Sequence, residues 1–519
     1  MLFKKNSNLT QILSLIFLML LVFYTSAKLA NFKYNNFMYG KFDLGNMSQV
    51  VWNNKHGNFN MVTDQFGNDI SRFGMSHVDL ILFLVTPLYF IKEDPRLLIL
   101  FQQFIVTLGA VAVYLLAKLL FKSKNLAFLW GFAYLVYPAV GHILTKQTFH
   151  GVSLSAIFFL FAIYFYLKNQ NIPSKINLFI FWILIFFSML GKEEIPIVIS
   201  MFGLWMIYKF KDLKTGISLF FIGLVWFVIA FFILIPKYES YRSIEFDKFL
   251  NEAQITNVDS KEFFKSNFFL HRYSQLGDSY LHIAQNLVLH PYRSISLSIS
   301  NEDREALKNL LLPMAFLPIL SFPIFLIALP EIAINVLSNQ NIFAIDNHRI
   351  SMFIPIVFFS SIYFLSKLNV KLQYMFTVLI LFLSIFVSFK TNNLLLIEIL
   401  KKVKVQNVFA SNLLKDDYKN AISDPACIKQ ILVQIPDNAK FSGPNYMGAH
   451  TSLRKTNAVY PMRFYDADYI AIDVNHVSVH ANEIGITEKM QDKVTQEFFD
   501  SNEYKVVDWC KSLFLFKRL

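Results

Sequence analysis

The residues best equipped for chemistry lie near the N-terminus. They form the run Tyr39-Gly40-Lys41-Phe42-Asp43-Leu44-Gly45-Asn46, then Val50-Val51-Trp52-Asn53, then Asp64, Asp69, Arg72 and Ser76-His77-Val78-Asp79. A carboxylate such as Asp43 can take a proton from an attacking hydroxyl or help hold a divalent cation. A guanidinium such as Arg72 can bind a phosphate, and the flat indole of Trp52 can stack on a sugar ring. Each also has a plainer reading. Asp43 is placed to cap a helix beginning near Leu44, as Asp often does. His77 stands where the polar run meets an apolar one, which suits an interfacial hydrogen-bonding residue as well as a substrate ligand.

More candidates interrupt apolar sequence further on. His142, Lys146 and His150 cluster between Gly141 and Gly151, where His150 either touches substrate or belongs to a solvated loop. Two histidines eight apart with no third ligand at a recognised spacing predict no metal site. Gly191-Lys192-Glu193-Glu194 breaks the apolar stretch from Ile176 to Tyr208. Charges at membrane depth cost about 2.5–3.5 kcal/mol each, so they need partners, water or a task. In a cavity, Lys192 suits a phosphate and Glu193 or Glu194 an ion or a base; in a surface loop the four residues need no further explanation. Glu331 after Pro330 and Arg349 in Asp346-Asn347-His348-Arg349 raise the same question. Arg349 fits a bidentate phosphate contact or an interfacial anchor.

The elements that must hold these residues are membrane helices. Of 519 residues 55% are apolar, 17% aromatic and 16% charged, with 57 Phe and a mean hydropathy of +0.43. Soluble domains carry roughly 25% charged residues, so an ordinary cytosolic enzyme is excluded. The net charge of +12 fits loops on the cytoplasmic side and contact with membrane lipid rather than nucleic acid. Crossing ~30 Å of hydrocarbon takes about 20 apolar residues. Such runs begin with Leu9 to Ala27, for which an uncleaved anchor is preferred over a signal peptide. They continue at 78–91, 96–121, 125–141, 150–167, 177–190, 195–208, 216–235, 310–337, 350–366 and 372–389. The expectation is an α-helical polytopic bundle of about eleven spans over 1–395. It has a first outer loop at 28–77 and a polar insertion at 236–308 that holds ten acids and nine Lys/Arg.

Lys4 and Lys5 put the N-terminus in the cytoplasm and the 28–77 loop outside. The basic loop at 208–214 conflicts with straight counting; a re-entrant 78–91 together with a proline-broken hairpin at 310–337 would reconcile it. From 396 to 519 short β-like runs (Ala439–Ser442, Tyr469–Val474, Tyr504–Trp509, Ser512–Lys517) alternate with helical stretches at 413–434 and 486–500. These predict a small extracytoplasmic α/β domain, in which a Cys427–Cys510 disulfide is permissible.

Phe42-Asp43-Leu44-Gly45 with Gln49 and Trp52-Asn53, and Ser76-His77 opening a span that contains Pro87, resemble the DUF2079 family of membrane proteins. So do Phe149-His150, Gly191-Lys192-Glu193-Glu194, the proline-rich 312–330 run, and the tail from Ile435-Pro436 to Ala467-Asp468-Tyr469-Ile470. Val78 and Asp346-Asn347-His348-Arg349 depart from that pattern. The family's layout is similar to GT-C glycosyltransferases. The resemblance implies that Asp43 holds the position of the catalytic carboxylate, and that a polyprenyl-phosphate sugar is the donor at the outer face of the cell (inner) membrane. On that reading Asp43 and Glu193 are catalytic, a divalent cation is an optional cofactor, and His77, Lys192, Arg72, His150, Arg349 and Trp52 bind substrate. A multi-pass transporter or lipid-linked-sugar flippase is the alternative, since the same buried charges could line a path.

Overall fold

Proline and helix capping decide where the long apolar runs break. In the computed structural model, residues 2–256, 268–340, 342–402, 425–474 and 488–519 are described. The chain runs through α1 (Leu2–Asn35), α2 (Asn46–Lys55) and the strand pair β1 (Met61–Thr63) and β2 (Asp69–Ser71). It continues with α3 (Arg96–Phe121), α4 (Lys124–Val136), α5 (Pro138–Thr145), α6 (Gly151–Asn171), α7 (Lys175–Met189), α8 (Ile195–Phe210) and α9 (Leu213–Val228). Next come α10 (Tyr280–Leu289), α11 (Pro291–Ser298), α12 (Asn301–Leu311), α13 (Leu329–Val336), α14 (Phe353–Leu365) and α15 (Val370–Lys390). The tail holds α16 (Pro425–Val433), β3 (Phe441–Gly443), β4 (Asn457–Val459), β5 (Tyr469–Asp473), α17 (Glu488–Asp500), β6 (Tyr504–Cys510) and β7 (Leu513–Arg518).

All eleven apolar runs recur as helix, but with unequal lengths. Among the described residues six helices are long and apolar enough to cross a membrane, and seven if the bent pair α4–α5 counts as one. The 48° bend of that pair falls at Pro138, which has no N–H to continue the ladder. Ile81–Ile91, Lys175–Met189, Ile195–Phe210 and Phe322–Val336 are shorter apolar helices. In the 310–337 run, Pro313, Pro318, Pro323 and Pro330 each stand in the first turn of a new short segment, the helical position proline tolerates. Elsewhere side chains start the helices. Ser123 accepts from the Leu126 N–H, Asp212 from Thr215 and Asn369 from Leu372, while Ser300 and Asp303 form a capping box on α12.

Two compact units result. The first comprises 1–29, 100–230 and 269–413. Its core is one continuous apolar cluster that includes Trp130, Tyr134, Tyr137, Phe159, Phe202 and Phe358. The second comprises 30–99, 231–268 and 414–519, so the first polar loop and the tail belong to the same unit. Its five-stranded sheet has the order β4-β3-β5-β7-β6, with β3 parallel to β4 and β5, and β7 antiparallel to β5 and β6. Of the helical stretches expected at 413–434 and 486–500, residues 413–424 and 486–487 lie outside the described residues. The remainder forms α16 and α17. Cys427 and Cys510 are joined in a disulfide with a Cα–Cα distance of 5.5 Å.

Inside the second unit the loop and the tail interlock through buried polar groups. Asn445 Oδ1 accepts from the backbone N–H of Lys41 at 2.8 Å and of Phe42 at 3.3 Å. Gln49 Nε2 donates to the carbonyls of Arg454 and Lys455 at 3.1 and 2.8 Å. A Cβ at Gly45 would lie 2.8 Å from the Gly448 carbonyl oxygen, so the approach of these two backbones requires glycine.

Candidate functional site

Asp43 sits inside a π-helical turn, Lys41–Gly45, and not at a helix N-cap; α2 starts at Asn46 without a side-chain cap. The turn has a rigid base. Lys41 is 1% exposed, and its Nζ donates to the Thr63 carbonyl at 2.8 Å and to Asn46 Oδ1. Burial, only partly offset by Asp64, pulls Lys41 down to about 7. Lys41, Leu44 and Gly45 are buried while Asp43 between them is exposed. The local structure thus presents an accessible carboxylate on a fixed turn.

Neighbouring loop residues have structural work. Arg72 is buried and reaches Asp79 through Nε at 3.3 and 3.2 Å and through Nη2 at 3.2 Å, with Nη1 on Met75 Sδ at 3.4 Å. Trp52 Nε1 donates to Glu93 at 2.9 Å, and its ring lies against His56 at a 4.2 Å centroid distance. His77 is half-buried ahead of the Ile81–Ile91 helix. Asp64 is buried under the Phe66 and Asn68 backbone N–H groups, 3.7 Å from Arg242; burial nonetheless holds its carboxyl above the usual range. Asp43, Arg72, Trp52 and His77 all belong to the second unit.

Lys192, Glu193, His150 and Arg349 belong to the first unit, where the fold gathers charges from four separate segments. The turn 191–194 between α7 and α8 carries Lys192, Glu193 and Glu194, all buried, with Lys192 Nζ bonded to a Glu194 carboxylate oxygen. Gly191 lets that turn press on the first turn of α6. A Cβ there would lie 2.0 Å from Ser155 Oγ and 3.0 Å from the Gly151 carbonyl oxygen. The second segment supplies Arg272 and Tyr273, with the Tyr273 hydroxyl donating to the Ile334 carbonyl at 2.7 Å. The third supplies Glu331, 1% exposed, whose Oε1 accepts from Asn335 at 3.3 Å while Oε2 has no hydrogen-bond partner among the described residues. The fourth supplies Arg349.

Electrostatic coupling links the set. Arg272 feels Arg349, Glu194 and Glu193, and Glu331 feels Glu194, Lys192 and Arg349. Burial, reinforced by Arg349, brings Arg272 down to about 10, so it remains a cation at neutral pH. Burial pushes the Tyr273 phenol up to about 12.

Three cations, Lys192, Arg272 and Arg349, thus share a buried region with three carboxylates, Glu193, Glu194 and Glu331. Arg349 is the exceptional member. Only 8% exposed, its guanidinium makes no side-chain hydrogen bond or ion pair among the described residues. A buried guanidinium without a fixed acceptor is costly and is suited to a bidentate anion. Beside it His348 stacks on His150 with centroids 3.6 Å apart and planes at 9°. His142 is elsewhere engaged, its Nε2 3.0 Å from Thr391 Oγ1. Among the described residues no group of three His, Cys, Asp or Glu side chains is arranged to hold a metal ion.

Sequence reading missed Arg272 and Tyr273, which sit in the mixed polar insertion at no spacing that marks them. Asn335, one helical turn after Glu331, was a usable signal, because a buried carboxylate calls for a donor at that spacing. Further along α8, that helix and the 323–327 segment flank an open apolar groove of about 390 Å³. It is lined by Met201, Leu204, Trp205, Tyr208 and Pro323 among others.

No curated protein matches the chain in sequence. Among solved structures, the oligosaccharyltransferase of Archaeoglobus fulgidus, determined in complex with Zn and sulfate, aligns over 93% of this chain and 71% of its own at 12% identity. Its TM-score of 0.44 is too low to carry a fold or an activity across. The family assignment rests instead on a sequence profile covering nearly the whole length: the chain belongs to DUF2079, a family of predicted membrane proteins, over residues 33–515.

Proposed function

We propose that the protein is a membrane glycosyltransferase of GT-C type. On this reading it moves a sugar from a polyprenyl-phosphate carrier to an acceptor hydroxyl at the extracytoplasmic face of the cell membrane. The observation that carries the reading is the buried guanidinium of Arg349, unpaired among the described residues, near Lys192 and Arg272 in a unit built of membrane helices. Such a set binds a phosphate that arrives attached to a lipid. The groove along α8, which starts directly after Glu194, offers apolar wall to the first isoprene units.

In the reaction, the acceptor oxygen bonds to the anomeric carbon as the bond from that carbon to the phosphate oxygen breaks. The acceptor's proton passes to a general base, the role proposed for Asp43, and polyprenyl phosphate leaves with a negative charge of the kind that Arg349, Arg272 and Lys192 are suited to hold. Glu193 assists as a second base or ion ligand, and His150 and His77 contact the substrate. The shorter apolar helices complete a bundle of about eleven crossings, with the N-terminus cytoplasmic and the tail outside.

Asp43→Asn tests the proposal. In membranes supplied with labelled polyprenyl-phosphate sugars it should lower transfer by about 10²–10⁴-fold at unchanged abundance and melting temperature. Unaltered transfer removes Asp43 from the mechanism. No transfer from any lipid-linked sugar by the unmodified protein, together with solute flux in liposomes, would favour a transporter or flippase.

A further inference from the structure

Helices α10 and α11, in the polar insertion, expose more apolar surface than a hairpin in water does. Leu281 is 69% exposed, Val288 77%, Leu289 69% and Tyr292 86%, with Ile295 and Leu297 also exposed, beside the polar His282, Gln285, His290 and Ser296. The residues turned inward are mixed, with Ile283 buried beside polar groups. Ser294 and Ser298 are buried, and the hydrogen bonds run Asn286 Nδ2 to the Leu276 carbonyl (2.7 Å), Ser294 Oγ to the Asn286 carbonyl (3.0 Å) and Ser298 Oγ to the Ser294 carbonyl (2.9 Å). Between Asp278 and Glu302 there is no acidic residue, and Arg293 stands among the apolar side chains.

We infer that the α10–α11 hairpin lies in the lipid–water interface of the bilayer, its apolar face in the acyl boundary and Arg293 at the headgroups. Too short and too polar to span, it has the composition of an interfacial helix pair. Its position in the unit agrees. α12 follows it directly, and Glu305 of α12 pairs with Lys390 at the C-terminal end of α15, a helix long and apolar enough to cross the membrane. The outward face of that end of α15 is apolar too, with Phe382, Phe386 and Phe389 exposed. The hairpin therefore continues the lipid-facing wall at the level where a span ends. This inference is independent of the reaction proposed above.

The test uses full-length protein in liposomes containing anionic lipid. Both natural cysteines are bonded to each other, so Leu289→Cys, Tyr292→Cys and, separately, Ile295→Cys can be labelled singly with an environment-sensitive fluorophore. Glu302→Cys serves as the aqueous control. All sites are exposed, so the label replaces no core contact. A blue-shifted emission that is lost on adding lipid carrying a doxyl group high on its acyl chain, and is insensitive to iodide, is the expected result at the three hairpin sites. Quenching by iodide with none by doxyl lipid overturns the inference in favour of water. Protection from both overturns it in favour of a protein contact, with a second copy identified by the mass of the particle.

Discussion

Arg349→Gln is the substitution that most directly tests how the buried charges are used. In the free protein the guanidinium has no bonded partner among the described residues, so removing it breaks no ion pair. It also takes one cation from the set Lys192, Arg272 and Arg349 while Glu193, Glu194 and Glu331 remain. A charged hydrogen-bonding contact to an anion contributes about 1.5–3 kcal/mol. At roughly 1.4 kcal/mol per decade, that predicts a ~10- to 150-fold rise in Kd for polyprenyl phosphate. Glu331→Gln is the control. It swaps a buried carboxyl that makes no ion pair among the described residues for a neutral group of the same shape, and it should change Kd by less than about threefold. Arg349→Lys keeps the charge, loses the fork and should fall in between. The assay is equilibrium binding of radiolabelled polyprenyl phosphate to protein in nanodiscs, with melting temperature recorded beside it. A purely structural role predicts that both glutamine variants lower the melting temperature and shift Kd the same way. That pattern, or an unchanged Kd in Arg349→Gln, refutes the reasoning.

Three other outcomes follow from the geometry. Replacing Cys427 and Cys510 by Ser reopens a loop of 83 residues and should destabilise the second unit by up to about 4.5 kcal/mol, read as a lower urea midpoint; an unshifted midpoint would mean the bond adds nothing. Gly191→Ala drives a methyl into Ser155 Oγ and the Gly151 carbonyl, costing about 1–3 kcal/mol and weakening phosphate binding by displacing Lys192. Ser155→Gly in the same chain should recover part of both, and no recovery would place the strain elsewhere. Lys41, brought from 10.5 to about 7, is protonated in the unfolded chain but not in the folded one between those values. Stability should therefore rise with pH across that window by up to ~1.4 kcal/mol per unit, and Lys41→Met should flatten the rise in melting temperature. Parallel slopes for the two proteins would show that another group is responsible.

Much was legible in the residues themselves, because bilayer crossing is a one-dimensional demand: about 20 apolar residues in sequence suffice to mark a membrane helix. Every apolar run became helix, whole or in shorter segments, and the composition shift near 400 marked the sheet-bearing tail. The motif around Asp43 was visible for a similar reason, since a carboxylate beside glycine in a polar run stands out locally. Span length was harder to read. Where Pro138 or the four prolines of 313–330 cut the backbone ladder, hydropathy continued but the helix did not. Tertiary structure alone decided which charges are neighbours. Arg272 and Arg349 are 77 positions apart, and nothing in either local sequence encodes the other, yet packing brings both close enough to Tyr273 to act on it electrostatically. It likewise committed Arg72 to Asp79 and left the Arg349 guanidinium without a bonded partner among the described residues. Pairing depends on distances of a few ångströms between segments, and periodicity, which reports only on a segment's own face, carries no such information.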